Sequence, residues 1–175
     1  MKSFKTNVLS PNIPVQTMIL FYIFSRIYWS ELGYQPAIKT ALMDGTRRGF
    51  LVLAKLKWPI SLALDSPASR LYWCDSKLKS VESISINEPD RLTVRKFTDG
   101  DTPVNVALHE NKLYIITQSG TLYVFNKFGK GPLTALARGL KRPVGLVVYQ
   151  QQHQSKQQGE DCLQYGSLVR TTSRP

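Results

Sequence analysis

Apolar and polar residues alternate with a period of two along most of the chain, in short runs separated by turn-forming residues. Leu62 and Leu64 alternate in one such run, and Leu71 and Trp73 alternate in the next. Alternation of this kind is typical of half-buried β-strands, whereas an amphipathic helix would repeat every ~3.6 residues. Asp44-Gly45 follows a similar run and supplies the positive φ that a tight hairpin turn requires. The pattern predicts an all-β protein of short strands.

A tetrapeptide recurs at a regular interval along the chain. Tyr28-Trp29-Ser30-Glu31 and Tyr72-Trp73-Cys74-Asp75 lie 44 residues apart, and Tyr114 keeps the place of the tyrosine 42 residues further on. Four short strands within about 43 residues are typical of one propeller blade. A second marker, a proline followed by alternating apolar residues, runs in phase with the first at Pro59, Pro103 and Pro143. The two markers together predict about three four-stranded blades.

The repeated tetrapeptides are variants of a Tyr-Trp-Thr-Asp motif. With Ile38–Thr46 and Trp58–Asp65 beside them, they resemble the class B repeats of the low-density lipoprotein receptor family. Asn126–Pro132 is most similar to a late blade of the large endocytic receptor-related proteins of that family. The resemblance covers about residues 26–154 and implies a six-bladed propeller flanked by a Cys-rich module similar to epidermal growth factor. Three blades would be half of such a ring, so the fold is expected to be a partial propeller and the chain a fragment.

The resemblance also divides the chain into three parts. Residues 1–25 lie before the repeat, residues 26–149 form the blades, and residues 150–175 form a tail that its Gln, Ser and basic composition predicts to be disordered. The apolar run Met18–Phe24 is too short to span a bilayer. It is interpreted as the centre of a poor signal peptide, as a strand of a truncated blade, or as part of a non-native start.

The charge distribution and the cysteine content argue against several classes of function. The 175-residue chain has a net charge of +11, but residues 27–126 hold 12 basic and 10 acidic side chains, so the flanks carry +9 of it. A nucleic-acid module would carry a basic stripe on its folded part, so nucleic-acid binding is disfavoured. Two cysteines and two histidines, far apart in sequence, are too few for a disulfide framework or a zinc site. No metal or other cofactor is expected.

Most of the repeated residues are interpreted as structural, because large aromatic side chains at blade spacing pack within and between blades. The resemblance implies that the acid ending each motif is a structural hydrogen-bonding residue, and Glu31 and Asp75 occupy equivalent points of neighbouring blades, which disfavours a catalytic pair. The structural set is Tyr28, Trp29, Glu31, Asp44, Gly45, Pro59, Asp65, Tyr72, Trp73, Asp75, Pro103, Tyr114 and Pro143.

A smaller group of residues is the candidate ligand face. It combines the densest basic patch of the blades with one tryptophan and one histidine: Arg47, Arg48, Lys55, Lys57, Trp58 and His109. A solvated face explains the basic patch about equally well, and packing between blades competes as the role of Trp58. The resemblance implies that propeller histidines help to release ligand in acidic endosomes, although a lone histidine at a strand end is more often simply solvated.

The family resemblance implies a binding protein without catalytic activity. Its expected partners are a protein or lipoprotein ligand, or acidic calcium-binding modules of the same receptor, together with the remaining blades. The parent would be anchored in the membrane and act at the extracellular side of the plasma membrane and in endosomes; a truly truncated chain would be secreted. A Wnt co-receptor-like or basement-membrane protein is the first alternative. A propeller hydrolase is the second, although its inward positions offer only Asn105 as a metal ligand and no Gly-x-Ser-x-Gly motif occurs.

Overall fold

A computed structural model describes residues 15–21, 25–98, 100–141, 143 and 145–148. The described residues form three antiparallel sheets of four strands each, numbered β1 to β12 along the chain. The first sheet contains β1 (Val15–Phe21), β2 (Arg26–Glu31), β3 (Ala37–Leu42) and β4 (Gly49–Val52). The second contains β5 (Pro59–Asp65), β6 (Arg70–Asp75), β7 (Ser80–Ser85) and β8 (Leu92–Lys96). The third contains β9 (Pro103–His109), β10 (Lys112–Thr117), β11 (Leu122–Asn126) and β12 (Thr134–Ala137).

Each sheet is one propeller blade. Strands pair in sequence order, and the first strand of each sheet lies beside the first strand of the next, β1 with β5 and β5 with β9. The predicted all-β partial propeller is therefore confirmed. The disorder predicted for residues 150–175 and the start of the chain at residues 1–14 lie outside the described residues. Among the residues that the structure describes, no helix has the length and apolarity needed to cross a membrane.

The first blade begins earlier than the sequence analysis placed it. Val15–Phe21 pairs antiparallel with Arg26–Glu31, so β1 supplies an inner strand to a sheet that was expected to start at residue 26. Its register repeats that of the next blade, because Met18 lies opposite Trp29 as Leu62 lies opposite Trp73. Of the three interpretations of the apolar run, the structure places part of it in a blade strand.

The interface between the first and second blades is an apolar layer. Tyr28 and Ile38 of the first blade meet Leu71 and Trp73 of the second in one buried cluster, where each side chain is at most 1% exposed. Burying a large aromatic or aliphatic side chain stabilises a fold by roughly 1.5–3 kcal/mol. Tyr28 and Trp73 are thus buried between the blades.

The interface between the second and third blades is built like the first, and the motif residues face the same directions in both. Tyr72 and Cys74 leave the other face of β6 and pack with Leu113 and Ile115 of β10 in a second buried cluster. Successive side chains of a strand point to opposite faces, so the motif tyrosine faces the following blade and the residue after it faces the preceding blade. The third cluster, around Trp29, lies on the face of the first sheet that is turned away from the second.

Two arginines at the outer edge of the second blade, Arg91 just before β8 and Arg95 on it, contact both neighbouring segments. Arg91 pairs with Glu82 at 2.9 Å and donates to the carbonyls of Ala54 and Lys55, which precede β5. Arg95 donates to the carbonyls of Gly129 and Gly131 in the third blade, at 3.2 and 2.7 Å. These bonds fix the outer rims of the blades, since charged donors form the stronger hydrogen bonds.

At Gly129 the third blade lies close to the backbone of the second. A Cβ at this position would lie 2.3 Å from the Val94 carbonyl oxygen, and its φ is +75°. Both facts favour glycine, which has no Cβ and adopts positive φ readily.

Candidate functional site

The antiparallel topology gives the blades two ends with different chemistry. Strand directions alternate, so the β2–β3, β6–β7 and β10–β11 turns share one end with the connections between blades, which include residues 53–58; we call this the connection end. The β3–β4, β5–β6, β7–β8, β9–β10 and β11–β12 turns share the opposite end, called here the hairpin end.

Asp75 organises the connection end of the second blade. It is fully buried, and its Oδ1 accepts hydrogen bonds from the backbone N–H groups of Trp58 at 2.9 Å and Leu78 at 3.0 Å. Its Oδ2 accepts a third from the Lys57 N–H at 2.8 Å. Both carboxylate oxygens are therefore used to join the β6–β7 turn to the connection from the first blade.

The residues at the equivalent positions of the first and third blades make different contacts. Glu31, one methylene longer than Asp75, accepts from the indole Nε1 of Trp29 at 2.7 Å and pairs with Lys39 at 2.7 Å. Thr117 replaces the acid in the third blade, and its Oγ1 donates to the Thr121 carbonyl at 3.1 Å within its own turn. In none of the three blades does this position present a carboxylate free to act on a substrate.

Trp58 is the exposed member of the three tryptophans. Its side chain is 45% exposed, whereas Trp29 and Trp73 are 3% and 0% exposed. The Lys77 ammonium lies 4.8 Å from the centre of the Trp58 ring, within the range of a cation–π contact. Because the Trp58 backbone is held by Asp75, the connection end presents this indole from a fixed loop.

A buried ion pair joins the second and third blades at the hairpin end. Lys127 Nζ lies 2.7 Å from Asp65 Oδ2, and the two side chains are 11% and 3% exposed. The Ala68 N–H donates to the other Asp65 oxygen at 3.2 Å. Burial and the nearby Asp65 charge raise the pKa of Tyr72 to about 12, so this tyrosine stays neutral and packs as an aromatic.

His109 lines a cavity beside this pair. The cavity holds about 410 Å³ and is bounded by Asp65, His109, Glu110 and Lys127 among others. The His109 side chain is 29% exposed, and its Nε2 lies 4.0 Å from Glu110 Oε1. His109 is thus a partly solvated residue between two blades, close to three other charged or titratable groups.

The candidate ligand face is divided between the two ends. Arg47 and Arg48 lie in the β3–β4 turn at the hairpin end, with His109, whereas Lys55, Lys57 and Trp58 lie at the connection end. The four-residue β4 separates the basic residues that the sequence places close together. They therefore form two surfaces rather than one patch.

The sequence did not predict several of the contacts at these two ends. Lys127 is 62 residues from Asp65, and neither Lys39 nor Lys77 was singled out by the motifs of the sequence. Only the propeller geometry brings these lysines to their partners, since neither spacing nor composition distinguishes them from solvated lysines.

Comparison with known proteins supports the reading of the repeats. Residues 25–66 match the family described as low-density lipoprotein receptor repeat class B. The vitellogenin receptor of Solenopsis invicta is 35% identical over 119 residues, which are 67% of this chain and 7% of that receptor. The chain carries low-density lipoprotein receptor class B repeats.

Two further similarities show how much of each longer protein these class B repeats cover. The low-density lipoprotein receptor-related protein 5-like protein of Homo sapiens is 44% identical over 69 residues, or 39% of this chain and 27% of that protein. A chain in the crystal structure of a nidogen–laminin complex superposes with a TM-score of 0.66 at 19% identity, covering 77% of this chain and 50% of that one. At this identity the superposition shows the fold alone. The class B repeats here span only a small part of the receptor relatives and half of the nidogen-complex chain.

We expect replacement of Asp75 by alanine to lower the free energy of unfolding by about 3 kcal/mol, because three backbone N–H groups lose their buried acceptor. Chemical denaturation monitored by circular dichroism measures this change. Glu88→Ala, at an exposed turn position, is the control and should change stability by at most about 0.5 kcal/mol. Equal effects of the two substitutions would contradict the role assigned to Asp75.

Proposed function

We propose that this chain is an extracellular, ligand-binding segment of an endocytic lipoprotein-receptor-like protein, acting by binding and spacing without catalysis. The class B repeats and the receptor relatives support this function. The observation that carries it is the rigid presentation of Trp58 at the connection end. In this proposal the remaining blades and a membrane anchor belong to the parent protein.

The connection end has the composition of a protein-binding surface. Tryptophan is among the residues that most often dominate interface energies, especially where a rigid loop presents it. Four exposed lysines lie at the same end as Trp58: Lys55 and Lys57 on its own connection, and Lys77 and Lys79 on the β6–β7 turn. Residues 53–58 and 76–79 contain no acidic side chain.

This charge pattern favours an acidic partner. Asp75, beneath this surface, is buried and already accepts three hydrogen bonds from backbone N–H groups. Opposite potentials across an interface speed association and exclude wrong partners. An acidic segment of a protein or lipoprotein ligand, or an acidic calcium-binding module of the same receptor, fits this end.

The buried acids of the blades argue for binding and against catalysis. Glu31, Asp65 and Glu82 each form an ion pair, with Lys39, Lys127 and Arg91 respectively. Asp75 is saturated by backbone donors. Catalytic carboxylates must reach a substrate, and these groups are committed to holding strands and blades together.

Release in endosomes would depend on the hairpin end. Protonated His109 would add a positive charge to a cavity that already holds Lys127, with Asp65 and Glu110 as the acceptors. Protonated His109 would then be a second cation in the cavity beside the ion pair between Asp65 and Lys127. β5 runs from Pro59 to Asp65 and so connects this ion pair to the loop that carries Trp58.

The function is tested first by ligand binding. Vitellogenin is the probe, because a receptor relative bears its name, and biolayer interferometry measures its affinity for the full chain. Trp58→Ala should raise the Kd by at least about tenfold, as expected for an interface tryptophan. Phe128→Ala is the matched control, since Phe128 is 64% exposed at the hairpin end with Lys127 Nζ 5.4 Å from its ring centre. Equal effects would contradict the assignment, and binding of laminin in place of vitellogenin would favour the basement-membrane alternative.

Release is tested by the rate of ligand dissociation. For the unaltered chain we expect dissociation to accelerate between about pH 7.4 and pH 5.5, where histidines gain a proton. His109→Gln should remove most of that acceleration and leave the affinity at neutral pH unchanged. His153→Gln, the only other histidine, is the control. An acceleration that persists in His109→Gln would contradict the proposed release mechanism.

A further inference from the structure

A second cavity lies at the connection end, against the face of the second blade that is turned toward the first blade. Its volume is about 430 Å³, within the range of roughly 300–1,000 Å³ that is usual for ligand pockets. Lys55 lines it from the connection that leads into β5. The second blade lines it with residues of β7, of β8 and of the turn between them: Ser80, Glu82, Arg91, Thr93 and Lys96.

Glu82 is the only carboxylate among the described residues that line this cavity, and its hydrogen bonds are already made. Its Oε2 accepts from the Arg91 Nε at 2.9 Å. Its Oε1 accepts from the Ser80 hydroxyl at 2.9 Å and from the Thr93 hydroxyl at 3.3 Å. Because Glu82 is only 6% exposed and its charge is balanced by Arg91, it does not neutralise the lysines of the cavity.

The two lysines of the cavity lack a counter-charge. Among the residues that the structure describes, no carboxylate forms an ion pair with Lys55 or Lys96. Lys55, Arg91 and Lys96 give three positive charges against the one negative charge of Glu82, which leaves a net charge of +2. A concave surface that carries charge of one sign concentrates its potential and attracts ions of the opposite sign. The cavity is therefore suited to an anionic group.

The second interface shows that blades stack without such charges. Glu82 lies opposite Trp73, and Tyr123 holds the same position opposite Ile115 in the third blade. Tyr123 packs against the second buried cluster, with its ring centre 6.0 Å from that of Phe97. An aromatic side chain thus serves at this position in the second interface, so stacking alone does not account for the charges around Glu82.

Arg91 also fixes the backbone that carries Lys55. Its guanidinium donates to the carbonyls of Ala54 and of Lys55, the latter at 3.0 Å. The φ of Lys55 is +56°, a left-handed conformation that is uncommon for a residue with a side chain and that persists where surrounding contacts enforce it. The lysine is therefore presented to the cavity from a loop whose backbone is held in place.

The cavity and the exposed indole of Trp58 share one framework. Leu78 lines the cavity, and its N–H donates to the Oδ1 of Asp75 at 3.0 Å. The same oxygen accepts from the Trp58 N–H at 2.9 Å. Lys55 lies only three residues before Trp58 on the same connection. A single extended segment of a partner can thus contact the indole and the cavity together.

We propose that this cavity is the subsite for the acidic side chains of the partner at the connection end. A glutamate or aspartate carboxylate of the partner binds to Lys55 and Lys96, and Trp58 contacts an apolar side chain of the same segment. A charge pair is stronger in a cavity than on an open surface, because less water surrounds it. This inference rests on the function proposed above and extends it to Lys96, a residue of β8 with no motif role.

The test uses a short fluorescent peptide of alternating glutamate and leucine, and a matched peptide of glutamine and leucine. Fluorescence anisotropy at low ionic strength measures the affinity of each for the full chain, since salt would screen the charges. We expect the glutamate peptide to bind at least about tenfold more tightly than the glutamine peptide, and Lys96→Gln to raise its Kd by at least about fivefold. Lys112→Gln is the matched control: it removes the same charge from an exposed position at the hairpin end and should change the Kd by less than about twofold.

Trp58→Ala, measured with the same peptide, separates this inference from the proposed function. A loss of affinity in Trp58→Ala without a loss in Lys96→Gln overturns the cavity subsite and leaves the role of Trp58 in place. The reverse result supports the cavity and contradicts the role of Trp58.

Three further results would overturn the inference. The first is a glutamate peptide that does not bind. The second is an equal effect of Lys96→Gln and Lys112→Gln, because net charge alone would then explain the binding. The third is a heparin fragment that binds more tightly than the peptide and depends on Lys96, which would assign the cavity to a sulfated glycan.

Discussion

Every blade of this protein is a sheet with two apolar faces, and both faces must be covered. Residues that alternate along β6 point to opposite sides, so Trp73 packs toward the first blade and Tyr72 toward the third. A sheet with this pattern cannot bury both faces alone, and stacking on neighbours is the only source of its core. The order of the blades and the rigidity of the loops both follow from this requirement.

The same requirement explains where the polar groups are placed. A carboxylate at the end of a motif strand is enclosed when the blades stack, and it must then be fully satisfied. Asp75 is satisfied by the connection that carries Trp58, Glu31 by Trp29 and Lys39, and Thr117 by its own turn. Asp75 is thus part of the joint between the first and second blades, and the exposed indole of Trp58 beside it is available to a partner.

The sequence predicted the parts of this arrangement that recur along the chain. The tyrosine and tryptophan spacing gave the blades, and the alternation within each strand indicated that residues such as Trp73 would be buried. The strand β1 was only one of three interpretations of the apolar run that begins at Met18, although its pairing with β2 repeats that of β5 with β6, register shift included. The division of the basic residues between two ends was also missed, because Arg48 and Lys55 are close in sequence and only the direction of β4 separates them. Contacts such as that between Lys127 and Asp65 have no local signature, since they depend on how one blade turns relative to the next.

The alternation of faces between blades is tested most directly by two double-mutant cycles on stability. Tyr28 and Trp73 are 45 residues apart but share one interface cluster, whereas Tyr72 and Trp73 are adjacent in sequence and lie on opposite faces of one sheet. With leucine substitutions, the Tyr28 and Trp73 pair should show a coupling free energy of at least about 0.5 kcal/mol, and the Tyr72 and Trp73 pair should be additive to within about 0.3 kcal/mol. Strong coupling between the sequence neighbours together with additivity across the blades would contradict this account.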